Sequence, residues 1–246
     1  LASTSGTIAV SNENIGPMDE SHRPDFEVVG RWPYYTSKHL QEKEVMRRHE
    51  QGRIEAIVLN PSLLLGPGDD RISSTGDVLD ILHKRVPALT SGSVAFVDVR
   101  DAAPCFIKAL EDAQPGPRYL ITGANMRVRT LVERVALSGG VRVPKLELPK
   151  KWAVRSSKIL DGVWGALGAE PPVDPVSVDM GTHFWDCDAR RAESQLGLSP
   201  RDPQTTITDT VQYLSDRGLF RAYWEPTPSP GARLRLSGSA GSWTAS

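Results

Sequence analysis

The sequence feature that most constrains the fold is a short apolar run that directly follows a helical pattern. The run, Ile54-Glu55-Ala56-Ile57-Val58-Leu59, is rich in β-branched residues and is followed by Asn60-Pro61, which predicts a buried strand that ends there. Before it, Tyr35 to Gln51 mixes a few apolar residues with many charged ones, and Gly52 suits the position after a helix end. A helix followed by a buried strand is the αβ step of a parallel sheet. The sequence therefore predicts an α/β fold.

The rest of the chain continues the alternation of helices and strands. Residues 63–70 are expected to form a loop with an apolar start. Further strands are predicted at 94–99 and 118–122, and further helices at 75–85, 101–112, 130–138, 150–167, 188–196 and 204–217. Asp188 is expected to N-cap the helix at 188–196, and Gly197 to end it in the left-handed conformation. From Pro226 onward Pro, Ser, Gly and Ala dominate, which predicts a disordered tail.

Composition excludes several classes of function. The 246 residues carry a net charge of −1, whereas a binder of nucleic acid or of anionic membranes needs a positive excess. No apolar run approaches the roughly 18 residues that span a bilayer. Cys105 and Cys187 form no CxxC pair, and the histidines show no ligand spacing and are expected at the surface. The expected partner is therefore a small-molecule substrate, with no nucleic acid, no membrane and no metal.

Tyr34 and Lys38 are the first candidates for chemistry. They are four residues apart at the start of a predicted helix, so their side chains share one face. A nearby ammonium stabilises phenolate, which lowers the pKa of a tyrosine from its usual value near 10 and suits it to acid/base catalysis. A Tyr-x-x-x-Lys pair also arises by chance, so this pair gains weight only from its neighbours.

Two further polar segments accompany the pair. Upstream, Ser3-Thr4-Ser5-Gly6 places three hydroxyls before a glycine, either as an ordinary polar turn or as donors that polarise a substrate carbonyl. Downstream, Asn60-Pro61-Ser62-Leu63 leaves the predicted strand at its carboxyl end. Ligands of open parallel sheets bind in the crevice at that end. The three segments together therefore predict one site at the sheet edge.

In their order along the chain, these motifs resemble the extended short-chain dehydrogenase/reductases. The resemblance is to the NAD-dependent epimerase/dehydratase and dihydroflavonol reductase-like branch of that family. It rests on the Ser/Thr cluster with Gly6, on Tyr34-Tyr35-Thr36-Ser37-Lys38, on Asn60-Pro61-Ser62-Leu63-Leu64-Leu65-Gly66-Pro67-Gly68-Asp69, and on Phe96-Val97-Asp98-Val99-Arg100-Asp101-Ala102. The segment from Asp188 to Arg201 is similar to the C-terminal helix and turn of that branch.

The resemblance implies a role for each matching residue. Tyr34 matches the catalytic acid/base, and Lys38 matches the residue that lowers its pKa and binds the nicotinamide ribose. The catalytic hydroxyl falls on Thr4, with Ser3 and Ser5 open as alternatives. The backbone of Pro61, Ser62 and Leu63 matches the segment that meets the nicotinamide end of NAD or NADP. Asp98 and Asp101 match a motif too, but we expect them to cap a helix or tie a loop.

The resemblance also implies an architecture. The expected fold is a Rossmann-like doubly wound parallel sheet with a smaller C-terminal substrate-binding region. Residues 1–143 would be the C-terminal part of the Rossmann-like catalytic domain, 144–220 a substrate-side helical or mixed region, and 221–246 a disordered tail. A cytoplasmic location and a homodimer are the matching expectations for the cell and for assembly.

One part of the family pattern is missing from the sequence. The family places a Gly-rich turn between its first strand and first helix, where the pyrophosphate of the cofactor binds. No such turn precedes Tyr34, and the chain starts with Leu1 rather than Met. We therefore expect the N-terminal half of the sheet to be absent and the chain alone to be inactive. Gly162-Val163-Trp164-Gly165-Ala166-Leu167-Gly168 has a similar spacing but follows a helical pattern, so we reject it as a phosphate loop.

The sequence leaves three functions open. The first is an NAD(P)-dependent oxidoreductase that interconverts a carbonyl and a secondary alcohol, with Tyr34 as acid/base. The second is an NAD-dependent nucleotide-sugar epimerase or dehydratase, which needs cations for a diphosphate. A cationic run keeps it open: Lys145, Lys150, Lys151, Arg155 and Lys158. The third is a non-catalytic fragment or partner-binding module.

Overall fold

The computed structural model describes residues 1–86, 88–150, 152, 153, 155 and 174–221. The helices are α1 (Phe26–Val29), α2 (Pro33–Glu50), α3 (Gly76–Leu82), α4 (Val99–Glu111), α5 (Val128–Ser138), α6 (Pro175–Met180), α7 (Arg190–Leu196) and α8 (Pro203–Asp216). The strands are β1 (Val58–Pro61), β2 (Leu63–Leu65), β3 (Ser93–Asp98), β4 (Arg118–Ile121) and β5 (Ala124–Arg127), and a short 3₁₀ turn covers Ser5–Thr7. None of the helices described is both long and apolar enough to cross a membrane.

The strands form two small sheets in which parallel pairs dominate. In one, β1 pairs in parallel with β4, so that Leu59 lies opposite Tyr119. In the other, β2 pairs in parallel with β3, which pairs on its far side with the antiparallel β5. Before the 3₁₀ turn, Ala2 forms a parallel bridge with Leu59. The expected α/β class with parallel strands is confirmed, while the antiparallel β5 was not expected.

Two apolar cores hold the helices against these sheets. One core packs α3, α5 and α8 around residues of β2 and β3 such as Leu65 and Phe96. The other packs α4 and α7 against β1 and β4 around Tyr119 and Ile121. Burial of apolar side chains on both sides of the strands makes these sheets the centre of the fold. The carboxyl end of β2 is itself buried, at Leu65 and Gly66.

Two predictions about strands are wrong. The strand at 54–59 begins only at Val58 and runs through Pro61. The N–H groups of a strand point alternately to its two sides: that of Ser62 bonds Ile121 of β4, and that of Leu59 bonds Leu1 on the other side. Position 61 therefore faces away from β4, and a proline, which has no N–H, costs no hydrogen bond to β4 there. The expected loop after it is also partly a strand, β2, since Leu63–Leu65 finds a parallel partner in β3.

Most predicted helices are confirmed with small shifts of their ends. Gly52 and Gly197 take left-handed φ values of 68° and 68° after α2 and α7, as expected, and Asp188 accepts a hydrogen bond from the N–H of Arg190 at 3.0 Å. Helix α6 was not predicted. The predicted helix at 150–167 and the tail after residue 221 fall almost entirely outside the described residues.

Candidate active site

A cavity of about 720 Å³ lies at the carboxyl end of β1 and the start of β2. The hydroxyl turn, which we define as residues 3–7, forms one side, and the first turn of α2 with Tyr34 and Tyr35 lies beside it. Residues of α3, α5 and α6 close the opposite side. The structure thus brings three of the predicted segments together around one space, where a ligand of an open parallel sheet is expected.

The three hydroxyls of the turn all lie on the cavity wall but differ in their partners. Thr4 caps the 3₁₀ turn, because its Oγ1 accepts from the N–H of Gly6 at 3.4 Å. Ser3 Oγ is buried and has no hydrogen-bond partner. Ser5 forms a side-chain hydrogen bond with Cys187, whose pKa burial raises to about 12. Thr4 keeps more solvent exposure than the two serines, which suits contact with a substrate.

Gly6 allows the turn and α2 to approach closely. A Cβ atom at this position would lie 2.1 Å from Cε1 of Tyr35 and 3.1 Å from Cζ3 of Trp185. Such distances are far below van der Waals contact, so a side chain here would push Tyr35 and the start of α2 away from the turn. The glycine of the motif is therefore needed for packing.

Tyr34 presents its phenol to the cavity with the hydroxyl free. Its side chain is exposed, at 55% of its surface, and its hydroxyl has no hydrogen-bond partner among the described residues. The predicted lowering of its pKa is wrong for this structure: partial burial raises the pKa of Tyr34. Lys38 donates instead to the carbonyl of Ala2 at 3.2 Å. Its ammonium therefore holds the strand before the turn.

Of the predicted cofactor contacts, all but Lys38 line this cavity. Pro61, Ser62 and Leu63 line the cavity, while the Ser62 hydroxyl bonds Thr122 Oγ1 at 3.0 Å inside the protein. Lys38 keeps N–H groups beyond the one that bonds Ala2, and these could hold a nicotinamide ribose. The rejected glycine motif at 162–168 lies outside the described residues.

Aromatic side chains build the wall beside α2. Trp185 and Tyr35 line the cavity, and Trp32 stacks on Trp185 with ring centroids 5.4 Å apart. Behind them His183 is completely buried, so the expectation of a surface position is wrong for this histidine. Its Nδ1 lies 2.7 Å from the carbonyl oxygen of Asp179, and burial lowers its pKa, so it serves as a neutral core residue.

The charges on the described wall are mostly negative. Asp77, Asp80 and Asp174 line the cavity together with one cation, Arg85. Arg85 pairs with Asp80 at 3.2 Å, and Asp174 caps α6. Asp77 has no hydrogen-bond or ion-pair partner in the described part of the chain, and burial raises its pKa. Sequence reasoning missed Asp77, because nothing in the 75–85 pattern marks which residue faces a cavity.

The cationic run named as an alternative anion site does not line the described wall. Lys150 points elsewhere: its Nζ donates to Asn12 Oδ1 at 2.9 Å and lies 3.5 Å from His183 Nε2. Arg155 is exposed, and Lys151 and Lys158 lie outside the described residues. Lys145 is likewise not among the residues that line the cavity.

Asp98 and Asp101 have structural roles, as expected. Asp98 caps α4 by accepting from the N–H of Arg100 at 2.9 Å. Asp101 accepts from the guanidinium of Arg201 at 2.6 Å and from its backbone N–H at 2.9 Å. These contacts tie α4 to the segment before α8.

Comparison with known proteins agrees with this arrangement. The sequence model of the NAD dependent epimerase/dehydratase family matches residues 1–122. A putative dihydroflavonol 4-reductase of Synechocystis is 26% identical over 89% of this chain and 65% of its own length. Cinnamoyl-CoA reductase CAD2 of Medicago truncatula is 29% identical over 75% of this chain and 48% of its own length. The chain thus spans 65% and 48% of the lengths of these two curated relatives.

A solved structure extends the likeness to the fold. The crystal structure of a nucleoside-diphosphate-sugar epimerase from Pseudomonas aeruginosa superposes with a TM-score of 0.72 at 21% identity, over 89% of this chain and 67% of the other. The α/β fold, the order of the motifs and the family match agree with one another. Residues 1–122 of the chain match the NAD-dependent epimerase/dehydratase family, and the homologues of the chain include dihydroflavonol reductase-like enzymes.

Proposed function

We propose that this chain carries the catalytic site of an NAD(P)-dependent oxidoreductase that interconverts a carbonyl and a secondary alcohol on a small, uncharged substrate. The observation that carries the proposal is the free hydroxyl of Tyr34 on the same cavity wall as the hydroxyl turn. An unpartnered acid group and several hydrogen-bond donors around one space match the needs of carbonyl reduction.

Each residue of the site has its own role in carbonyl reduction. When a carbonyl is reduced, Tyr34 donates its proton to the oxygen that becomes the alcohol. The Thr4 hydroxyl holds that oxygen by a hydrogen bond and stabilises the negative charge that develops on it. A bound nicotinamide cofactor supplies the hydride. Lys38 would bind the ribose through the N–H groups that Ala2 leaves free, and Pro61 to Leu63 would meet the nicotinamide end.

The raised pKa of Tyr34 makes its phenol a proton donor. Because burial disfavours the phenolate, the phenol stays protonated at neutral pH and is ready to donate. Removal of a proton from an alcohol would need the phenolate, which forms only at higher pH. The site therefore suits a reductase near neutral pH, in agreement with the names of the reductases among its relatives.

The charge of the described wall argues against a nucleotide sugar. A diphosphate needs cations or helix N-termini as partners, but this wall carries three carboxylates, and its one guanidinium is already paired. Like charges inside a cleft repel a phosphorylated substrate at short range. An uncharged substrate with an apolar ring, packed on Trp185 and Tyr35, fits these surroundings better.

The test is substitution of the acid. In the complete protein, Tyr34→Phe should lower kcat for reduction of a cyclic ketone by about 100-fold or more, because a general acid contributes about 100- to 10,000-fold. The dissociation constant for NADH or NADPH, measured by fluorescence titration, should stay unchanged. Tyr213→Phe, at a tyrosine bonded to Asp70 on the surface, is the matched control. Activity of Tyr34→Phe near that of the control would remove Tyr34 from this role.

A further inference from the structure

A buried carboxylate on α2 joins the helix that carries Tyr34 to the hydroxyl turn. Glu42 is only 4% exposed and is the one buried residue of this 18-residue helix. Tyr34, Lys38 and Glu42 are spaced by four residues, so they lie on one face of α2. At a rise of about 1.5 Å per residue, Glu42 lies about 12 Å along the axis from Tyr34.

Glu42 reaches the hydroxyl turn through two short hydrogen bonds. Its Oε1 accepts from Thr7 Oγ1 at 2.6 Å and from Asn60 Nδ2 at 2.7 Å. Arg118 lies 3.5 Å from its other oxygen, Oε2. A buried carboxylate that is paired and hydrogen-bonded in this way is fixed in position, since its release would leave several polar groups without partners.

The same two partners also hold the backbone of the catalytic residue. Thr7 Oγ1 lies 2.8 Å from the carbonyl oxygen of Thr4, and Asn60 Nδ2 lies 3.1 Å from it. Asn60 also donates to Thr7 Oγ1 at 3.0 Å. The turn, the end of β1 and α2 therefore meet in one buried polar cluster, which we call the Glu42 cluster (Thr7, Glu42, Asn60 and Arg118).

We propose that Glu42 is a positioning residue, which sets the distance between the Thr4 hydroxyl and the Tyr34 phenol through Thr7 and Asn60. Glu42 itself touches neither substrate nor cofactor. The packing of Tyr35 against Gly6 holds the turn near Tyr34, and the Glu42 cluster holds it from the other end. Because the hydroxyl turn is held at both of these points, its position relative to α2 is fixed.

The inference rests on the proposed function for its kinetic consequence. Glu42→Gln keeps the size of the side chain but replaces one carboxylate oxygen by an NH2 group, which must face either Thr7 and Asn60 or Arg118. In the complete protein we expect kcat to fall about 10- to 100-fold, because a displacement of about 1 Å can cost about 100-fold. KM should change little, since binding of the substrate is not removed. Glu50→Gln, at an exposed residue of the same helix, is the control.

A second variant guards against loss of folding. Thr7→Val removes the hydroxyl at almost constant volume and should lower kcat in the same way but less. In the double variant the two losses should be less than multiplicative, because both act on one cluster. Full kcat in folded Glu42→Gln or Thr7→Val, or losses that multiply in the double variant, would overturn the proposal.

A readout without turnover separates this inference from the proposed function. The N–H groups of Thr7, Ile8 and Ala9 bond carbonyls of the turn itself, at 3.2, 2.9 and 2.7 Å. In Glu42→Gln these amides should exchange with deuterium faster than in the wild type, whereas Glu50→Gln should leave them unchanged. Unchanged exchange in Glu42→Gln overturns the proposal even if the enzyme is active. Faster exchange without any ketone reduction by the wild type supports the Glu42 cluster and refutes the proposed reaction instead.

Discussion

At the scale of single residues, three neighbouring hydroxyls compete for one role. Thr4 is the candidate because Ser5 already bonds Cys187 and because Ser3 Oγ is sealed from solvent. Thr4 has only a long hydrogen bond of 3.4 Å to the Gly6 N–H to give up. The Thr4 hydroxyl therefore loses the least hydrogen bonding when it turns toward a substrate oxygen.

Substitution of each hydroxyl in turn tests this choice. Thr4→Val should lower kcat for ketone reduction about 100-fold, the loss that follows removal of one donor to a developing oxyanion. Ser3→Ala and Ser5→Ala should have smaller effects on kcat. Steady-state kinetics of the three variants in the complete protein would rank their losses of kcat and so identify the catalytic hydroxyl. A larger loss of kcat in Ser5→Ala than in Thr4→Val would move the role to Ser5.

Asp69 shows how a single carboxylate fixes a loop beside the site. Burial raises its pKa, but backbone hydrogen bonds from Thr75, Ser73 and Ser74 outweigh burial and bring the pKa to about 2. The folded state then binds fewer protons than the unfolded state, so this stabilisation is present above the ordinary value of 3.8 and is lost as the pH falls toward 2. The loop after β2 therefore depends on an ionised Asp69.

The corresponding prediction concerns stability in acid. Asp69→Asn should lower the free energy of unfolding by about 1 kcal/mol at pH 7, the usual effect of losing a capping carboxylate. The variant should also lose less stability than the wild type between pH 4 and pH 2, as followed by urea unfolding at each pH. Asp112→Asn, at the exposed end of α4, should behave like the wild type. An equal acid dependence in Asp69→Asn would contradict the assignment.

At the scale of elements, local spacing was readable from the sequence and distant pairing was not. The Tyr34 to Lys38 spacing and the glycines after α2 and α7 are local, so helix geometry decides them. Strand β2 was missed because three leucines have no pattern of their own and become a strand only beside β3. The Glu42 cluster was missed because its hydrogen bonds join residues 35 and 18 positions apart.

The contact between α4 and the segment before α8 gives a test at the same scale. Asp101 is nearly buried and binds Arg201 through several N–H groups. Asp101→Asn should lower the free energy of unfolding by about 2 kcal/mol, because hydrogen bonds to charged groups contribute about 1.5–3 kcal/mol each. Removal of the exposed Asp112 partner of Lys108, 4.0 Å away, should have little effect. Thermal and urea unfolding of both variants would give the free energy that each ion pair contributes. Equal losses of unfolding free energy in the two variants would refute a special role for Asp101.

At the scale of the whole molecule, the fold places a carboxylate without a partner among the described residues in the same cavity as Tyr34. Asp77 on α3 and Tyr34 on α2 come from separate parts of the chain, yet both line the same space. A negative charge there opposes anionic substrates, and the apolar wall limits screening by salt. The proposed preference for an uncharged substrate thus depends on how α2, α3 and the strand ends are assembled.

A matched pair of substrates tests that preference. A neutral cyclic ketone should be reduced with a higher kcat/KM than the same ketone bearing a carboxylate, by about 10-fold, which corresponds to about 1.4 kcal/mol of repulsion. Asp77→Asn should narrow the ratio between the two kcat/KM values, because it removes the carboxylate that opposes the charged ketone. Asp112→Asn, far along α4, should leave the ratio unchanged. A higher kcat/KM for the ketone that bears the carboxylate would contradict the proposal. So would a nucleotide sugar whose inhibition constant is lower than the dissociation constant of the neutral ketone. In either case the cavity selects anions, and an epimerase reaction would explain the site better.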